Sequence, residues 1–130
     1  MAIRIVRLGT ARLPGEGLRI GTVRRPPRGV AKLQIASRNF YDVWLPNLAP
    51  APETVKQALN AVSERDWDRF SRRYRKEMAA PPARAVLDLL AALSRRADFS
   101  VGCYCAEEAR CHRSVLRELL RERGAHIAQI

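Results

Sequence analysis

Apolar and polar residues alternate at the start of the chain. Ile3 and Ile5 face one way and Arg4 the other, and Val6 to Leu8 closes the stretch, which predicts a strand over 3–8. Pro14, Gly15 and Gly17 interrupt the pattern and predict a loop over 9–17. Leu18 to Val23 reads as a second strand. In Arg24 to Gly29 (RRPPRG), Pro26 and Pro27 each remove a backbone donor and fix φ, so this is a basic loop. Phe40 to Leu45 (FYDVWL) is rich in β-formers and reads as a third strand. Pro46, Pro50 and Pro52 then make an extended connection into a helix starting near Glu53.

The hydrophobic period changes after that point. Ser63 with Asp66 three residues later forms an approximate capping box, and Trp67, Phe70, Tyr74 and Met78 follow at helical spacing. They predict one buried face of a helix ending near Ala79, with Arg69, Arg72, Arg73, Arg75 and Lys76 on a solvated face. Pro81 and Pro82 begin a further helix whose stripe is Val86, Leu89, Leu90 and Leu93. Phe99 to Cys105 (FSVGCYC) is a short apolar run and predicts a buried central strand. After the loop Ala106 to Ala109, a helix from about Arg110 carries Val115, Leu116, Leu119 and Leu120 on one face. Gly124 suits its C′ position, and Ala125 to Ile130 predicts a last strand parallel to the Phe99 strand. The whole is an α/β chain: a small Rossmann-like layered domain over 1–130, with a mixed sheet, a parallel βαβ unit at the C-terminal end and helices on both faces.

Composition agrees with one domain. The chain has 130 residues, 47% of them hydrophobic, enough for a core of its own. Its longest apolar candidate, Ala85 to Leu93, is interrupted by Asp88 and falls well short of the roughly 18 residues of a membrane helix. The N-terminus alternates charge with apolar residues, unlike a signal peptide, so the expected location is cytoplasmic, with no membrane contact. Three cysteines within one short segment, an odd number, predict reduced thiols rather than a disulfide framework.

The formal charge of +11 raises nucleic acid as a partner. The basic residues are nearly all arginine, are scattered along the chain and accompany many alanines, a bias that GC-rich coding produces without any ligand. Charge alone therefore predicts only weak, non-specific nucleic-acid binding that falls with salt.

The segment with candidate chemistry is Cys103-Tyr-Cys105-Ala-Glu-Glu-Ala-Arg110-Cys111-His112-Arg113. It lies where a strand passes into a helix, the usual ligand crevice of an open α/β sheet. The helix dipole and free N–H groups favour an anion there, and Arg110 and Arg113 suit phosphate or carboxylate. Three readings stand. One is an anion or nucleotide site with a reactive thiol, although neither Cys105–Arg110 nor Cys105–Arg113 has the spacing of a protein phosphatase loop. The second is zinc on three cysteines and a histidine. The one-residue gap between Cys103 and Cys105 is unusual for it, and adjacent Cys111 and His112 on a helix would diverge, so no stoichiometric metal is expected. The third is structural: buried cysteines that simply pack. His126 stands alone and reads as structural or exposed.

These residues also carry a resemblance. Pro27-Arg28-Gly29 after a strand, WLPNLAP at Trp44 to Pro50, WDRFSRRYRKEM at Trp67 to Met78 and CYCAEEARCHRSVL at Cys103 to Leu116 make most of the chain similar to the YeaO-like family, domain of unknown function 488. Many members carry an Asp-Arg pair shortly before Pro-Arg-Gly; here Arg24 is matched, but Val23 stands where the Asp would be and Pro26 where a Trp is common. The resemblance implies an α/β fold and a bacterial intracellular setting, and no reaction.

The expectation is a crevice lined by Arg24, Arg28, Arg110 and Arg113 as the charge clamp, with Cys105, Cys111 and His112 as candidate catalytic groups and His112 moving the proton. Its ligand would be an anionic small molecule, phosphorylated or nucleotide-like. The alternative is a non-enzymatic nucleic-acid-binding or regulatory module using the same positive charge. The sequence specifies neither a cofactor nor an oligomeric state.

Overall fold

The computed structural model describes residues 1–129; Ile130 lies outside them. Four strands, β1 (Ile3–Arg7), β2 (Leu18–Gly21), β3 (Val43–Trp44) and β4 (Phe99–Cys103), form one sheet in the order β1-β4-β2-β3. Every strand pair is parallel, so the mixed sheet expected from the pattern is corrected to a wholly parallel one among the described residues. No tight hairpin turn joins sequential strands; each connection crosses over and returns to the same edge. β4 is central and buried along its whole length, as its continuous apolar run requires.

Four helices follow from the patterns described: α1 (Pro52–Leu59), α2 (Glu64–Met78), α3 (Pro81–Leu93) and α4 (His112–Glu122). The capping box at the start of α2 is complete: Asp66 N–H donates to Ser63 Oγ at 3.1 Å, and Ser63 N–H to Asp66 Oδ2 at 3.2 Å. Phe70, Tyr74 and Met78 are buried, and Trp67 is half-buried against the same core. Along α3 the stripe is displaced from the expected one. Ala83, Leu87, Leu90 and Ala91 are buried, whereas Leu89 is 63% exposed and Leu93 is also exposed. Alanines contribute little to a hydrophobic pattern, but their small size lets this face approach its neighbours closely. α4 begins at His112 rather than Arg110, because a separate 3-10 turn, Glu108–Arg110, precedes it.

The main core joins Ile3, Ile5, Ile20, Phe99 and Val101 of the sheet to α2, α3 and α4. On the other side of the sheet the Tyr41 ring lies against Gly21, and Leu8 against Gly102. Buried there too is an ion pair between Arg19 and Glu16, which Ser100 of β4 joins through Oγ at 2.8 Å.

The final segment is a correction of finer kind. Among the described residues it forms a single parallel bridge, Ile127 to Ile3, beside β1 rather than a full strand, and Ile130, the end of the expected strand, lies outside them. Gly124, at φ +78°, turns the chain out of α4, and Ile3 N–H to the His126 carbonyl and Ala128 N–H to the Ile3 carbonyl, each 2.8 Å, make the contact.

Candidate functional site

β2 and β4 are parallel neighbours whose register ends at Gly21 beside Gly102. The segments leaving them, 22–29 and 104–111, therefore open on one edge of the sheet. Thr22 continues the ladder by donating its N–H to the Gly102 carbonyl at 2.9 Å, and its own carbonyl meets His112 Nε2 at 2.8 Å. The first residue of α4 is thus fastened to the end of β2. The ring of buried His112 also sits edge-on to Tyr74, with centroids 5.5 Å apart.

The RRPPRG loop has no regular structure, and side chains hold it instead. Trp44 Nε1 donates to the Val23 carbonyl at 2.7 Å, and Tyr104 Oη donates to the Arg25 carbonyl at 2.8 Å. Arg24 reaches across to the Pro50 and Ala49 carbonyls at 3.2 and 3.0 Å.

Between this loop, α1 and the segment after β4 lies a cavity of about 490 Å³. Arg24, Arg25, Arg28, Lys56 and Arg110 line it, and no Asp or Glu does. None of these five cations has a carboxylate partner among the described residues. Arg110 lies over the Trp67 ring, 5.6 Å from its centroid. Cys103, Cys105, Cys111 and His112 share the lining with the apolar Val55 and Phe70.

Of the residues singled out in the sequence, Arg24, Arg28, Cys105, Arg110, Cys111 and His112 meet at this cavity. Arg113 does not line it. It is 3% exposed, and its guanidinium turns inward to donate from Nη2 to the Cys105 carbonyl at 2.6 Å, leaving Nε without a partner. Its place in the first turn of α4 sends the long side chain back under the segment that follows β4, where it fixes Cys105 rather than a ligand. Arg25 and Lys56 were missed. Arg25 lay within the basic loop already marked, whereas a lone lysine on α1 gives no sequence signal. His126 is exposed, next to Arg95.

The thiols are not equivalent. Cys103 and Cys111 are buried, and Cys105 is half-buried. Cys103 directs its thiol at Cys105 Sγ, 3.6 Å away. Hydrogen bonds from Cys103 and Cys111, with the charge of Arg113, hold the Cys105 thiol below its ordinary value despite its burial. Hydrogen bonds to Cys105 and Cys111, together with burial, push Cys103 up. Cys103, Cys111 and His112 also bring their ligand atoms within 4.8 Å of one another. Cys111 and His112 converge, contrary to the divergence expected of helical neighbours, because Cys111 is not part of the helix. It is the N-cap, extended at φ −129° and ψ 153°, and its Sγ lies 3.8 Å from His112 Nδ1.

No helix among the described residues is long and apolar enough to cross a membrane. No curated protein and no solved structure matches the chain. A family model described as DUF488-N3a, "Active DUF488-N3 subclade", matches residues 3–124, a span that holds the whole sheet, all four helices and every residue of the cavity. The chain belongs to the DUF488 family.

Proposed function

We propose that this protein is an enzyme acting on a phosphorylated or nucleotide-like small molecule bound in the cavity between the ends of β2 and β4. The observation that carries this reading is the gathering of five cations around one cavity without a carboxylate among them. Like charges assembled without counter-charges repel, and an anionic ligand relieves that repulsion. The cavity volume falls within the roughly 300–1,000 Å³ of small-molecule sites. The matched subclade is described as active, which agrees with catalysis.

In this reading Arg25, Arg28, Lys56 and Arg110 hold the anion, and Arg24, already spent on two carbonyls, shapes the loop. Tyr104, which lines this cavity and also an adjoining cleft with Arg25, Arg28 and Phe40, packs edge to face on Phe40 at 6.2 Å and offers an aromatic surface for a base or other flat group. Cys105, the most accessible thiol, faces the bound molecule as the reacting group. His112 commits Nε2 to the Thr22 carbonyl and turns Nδ1 towards Cys111, so it orders the floor of the cavity beside the thiols. A nucleic-acid module is less well supported, because Arg73 and Arg75 on the basic face of α2 are engaged with Glu53 and Glu122.

Calorimetric titration with inorganic phosphate and with a nucleoside monophosphate tests this at near-physiological salt. The wild type should bind at one site, and Arg28→Ala should weaken binding about 10- to 100-fold, the value of a hydrogen bond to a charged group. Arg28 is exposed and unpaired, so the melting temperature without ligand should hardly change. Binding unaffected by Arg28→Ala, or confined to duplex DNA and lost steeply with salt, would overturn the reading.

A further inference from the structure

We propose that Cys103, Cys111 and His112 form a binding site for a thiophilic transition metal, zinc foremost, whose fourth coordination position faces Cys105 and the cavity. This inference rests on ligand geometry and does not depend on the anionic-ligand reading.

The three ligand atoms lie within 4.8 Å of one another. Zinc sits about 2.3 Å from sulfur and about 2.0–2.1 Å from nitrogen, so tetrahedral neighbours stand roughly 3.5–3.8 Å apart. Cys111 Sγ and His112 Nδ1, at 3.8 Å, are already at that spacing, and small side-chain rotations bring in the third. Two thiolates and an imidazole form a soft set that selects zinc over magnesium or calcium.

The histidine is prepared for this role. Its Nε2 lies 2.8 Å from the Thr22 carbonyl, which can only accept, so Nε2 carries the proton and Nδ1 presents its lone pair towards Cys111. A backbone carbonyl that fixes the tautomer of a ligating histidine is the usual second partner in metal sites. The Thr22 hydroxyl donates to the Gly102 carbonyl at 3.0 Å, which holds Thr22, and with it the carbonyl that His112 meets, against β4.

The backbone brings the ligands together from three different settings. Cys103 ends the central strand, Cys111 caps α4 in an extended conformation, and His112 opens the helix. All three are buried, so the fold excludes competing water from three of the four positions. The fourth lies on the side of Cys105, whose Sγ is 3.6 Å from that of Cys103 and which lines the cavity. Three protein ligands with one position left for an exchangeable group is the arrangement of catalytic rather than structural zinc. Two thiolates neutralise a divalent ion, so the occupied site adds no net charge beneath the ring of cations.

The test is an anaerobic titration of reduced, metal-stripped protein with Co²⁺. The wild type should develop thiolate-to-cobalt charge-transfer absorption and the visible bands of a tetrahedral ion. Both should saturate at about one equivalent, with intensity for two thiolates, and zinc should displace the cobalt. Cys103→Ser and His112→Gln should each weaken uptake more than about a hundredfold, at or beyond the 10- to 100-fold cost of losing an outer-shell partner. Cys105→Ser should still take up one equivalent. Circular dichroism identifies any variant that fails to fold, and the wild-type spectrum judges the site without variants. Absent or octahedral cobalt bands in the wild type, or uptake indifferent to Cys103, would overturn the site. Loss of all uptake in a folded Cys105→Ser variant would overturn the open fourth position.

Discussion

Arg19→Met is expected to lower the free energy of unfolding by about 3–5 kcal/mol, because it leaves the Glu16 carboxylate buried with no counter-charge. Arg19 is the largest fully buried side chain of the protein, and Glu16 is 2% exposed. The pair is bidentate, with Nε to Oε2 at 2.7 Å and Nη2 to Oε1 at 2.9 Å. Nη1 donates to the carbonyls of Thr10 and Asn39 at 2.8 Å each, and Ser100 Oγ and Leu13 N–H donate to the carboxylate. Removing one partner orphans the rest, whereas Arg19→Met combined with Glu16→Leu should recover much of the loss. Urea denaturation of both variants measures the difference.

The same pair sets an acid limit. Burial pushes the Glu16 carboxyl up, but hydrogen bonds from Arg19, Ser100 and Leu13 and the Arg19 charge outweigh it and hold the group at about 2, against an ordinary value of 4.5. A depressed folded-state value means stabilisation that is complete above pH 4.5 and is lost as pH falls toward 2. The span corresponds to about 3 kcal/mol. Stability of the wild type should fall through that window, and Glu16→Gln should flatten that part of the profile.

Gly17→Ala is expected to cost about 3–5 kcal/mol, the sum of two separate penalties. Gly17 has φ +77°, where a side chain is strained, and a Cβ there would lie 2.0 Å from the Asp98 carbonyl oxygen. Neither partner can retreat, since Leu18 and Phe99, the next residues on each chain, begin the β2–β4 pairing. The methyl group therefore pries apart the first rung of the central strands. Thermal melting reads the effect directly. A drop as small as that of Gly15→Ala, where a Cβ would meet nothing within 4 Å, would show that the strands yield more easily than this packing implies.

What could be read in the sequence followed from local rules. The Ser63–Asp66 capping box, the Phe70-Tyr74-Met78 stripe and the buried Phe99 strand depend on neighbours within a few residues. Strand order does not, and nothing local says that β4 inserts between β1 and β2. The site shows the same division. That the RRPPRG loop and the Cys-His-Arg segment share an edge followed from two parallel strands lying side by side. That Arg113 turns inward, and that Cys111 stands outside the helix with its sulfur toward His112, depends on the 3-10 turn at Glu108–Arg110, which no periodicity announces. The Arg19–Glu16 pair was invisible for a related reason, since a charged residue in an alternating strand reads as solvent-facing until a loop closes over it.

The chain has two tryptophans, and both are in contact with the cavity's own residues. Trp67 lies beneath the Arg110 guanidinium, and Trp44 donates its indole N–H to Val23, the residue before Arg24. The intrinsic emission of the protein thus has no background from distant indoles. A molecule that draws Arg110 toward itself uncovers one fluorophore, and a shift of the RRPPRG loop changes the hydrogen bond of the other. Unlabelled protein therefore carries an optical gauge of occupancy, with Trp67→Phe and Trp44→Phe assigning the signal to one wall of the cavity or the other.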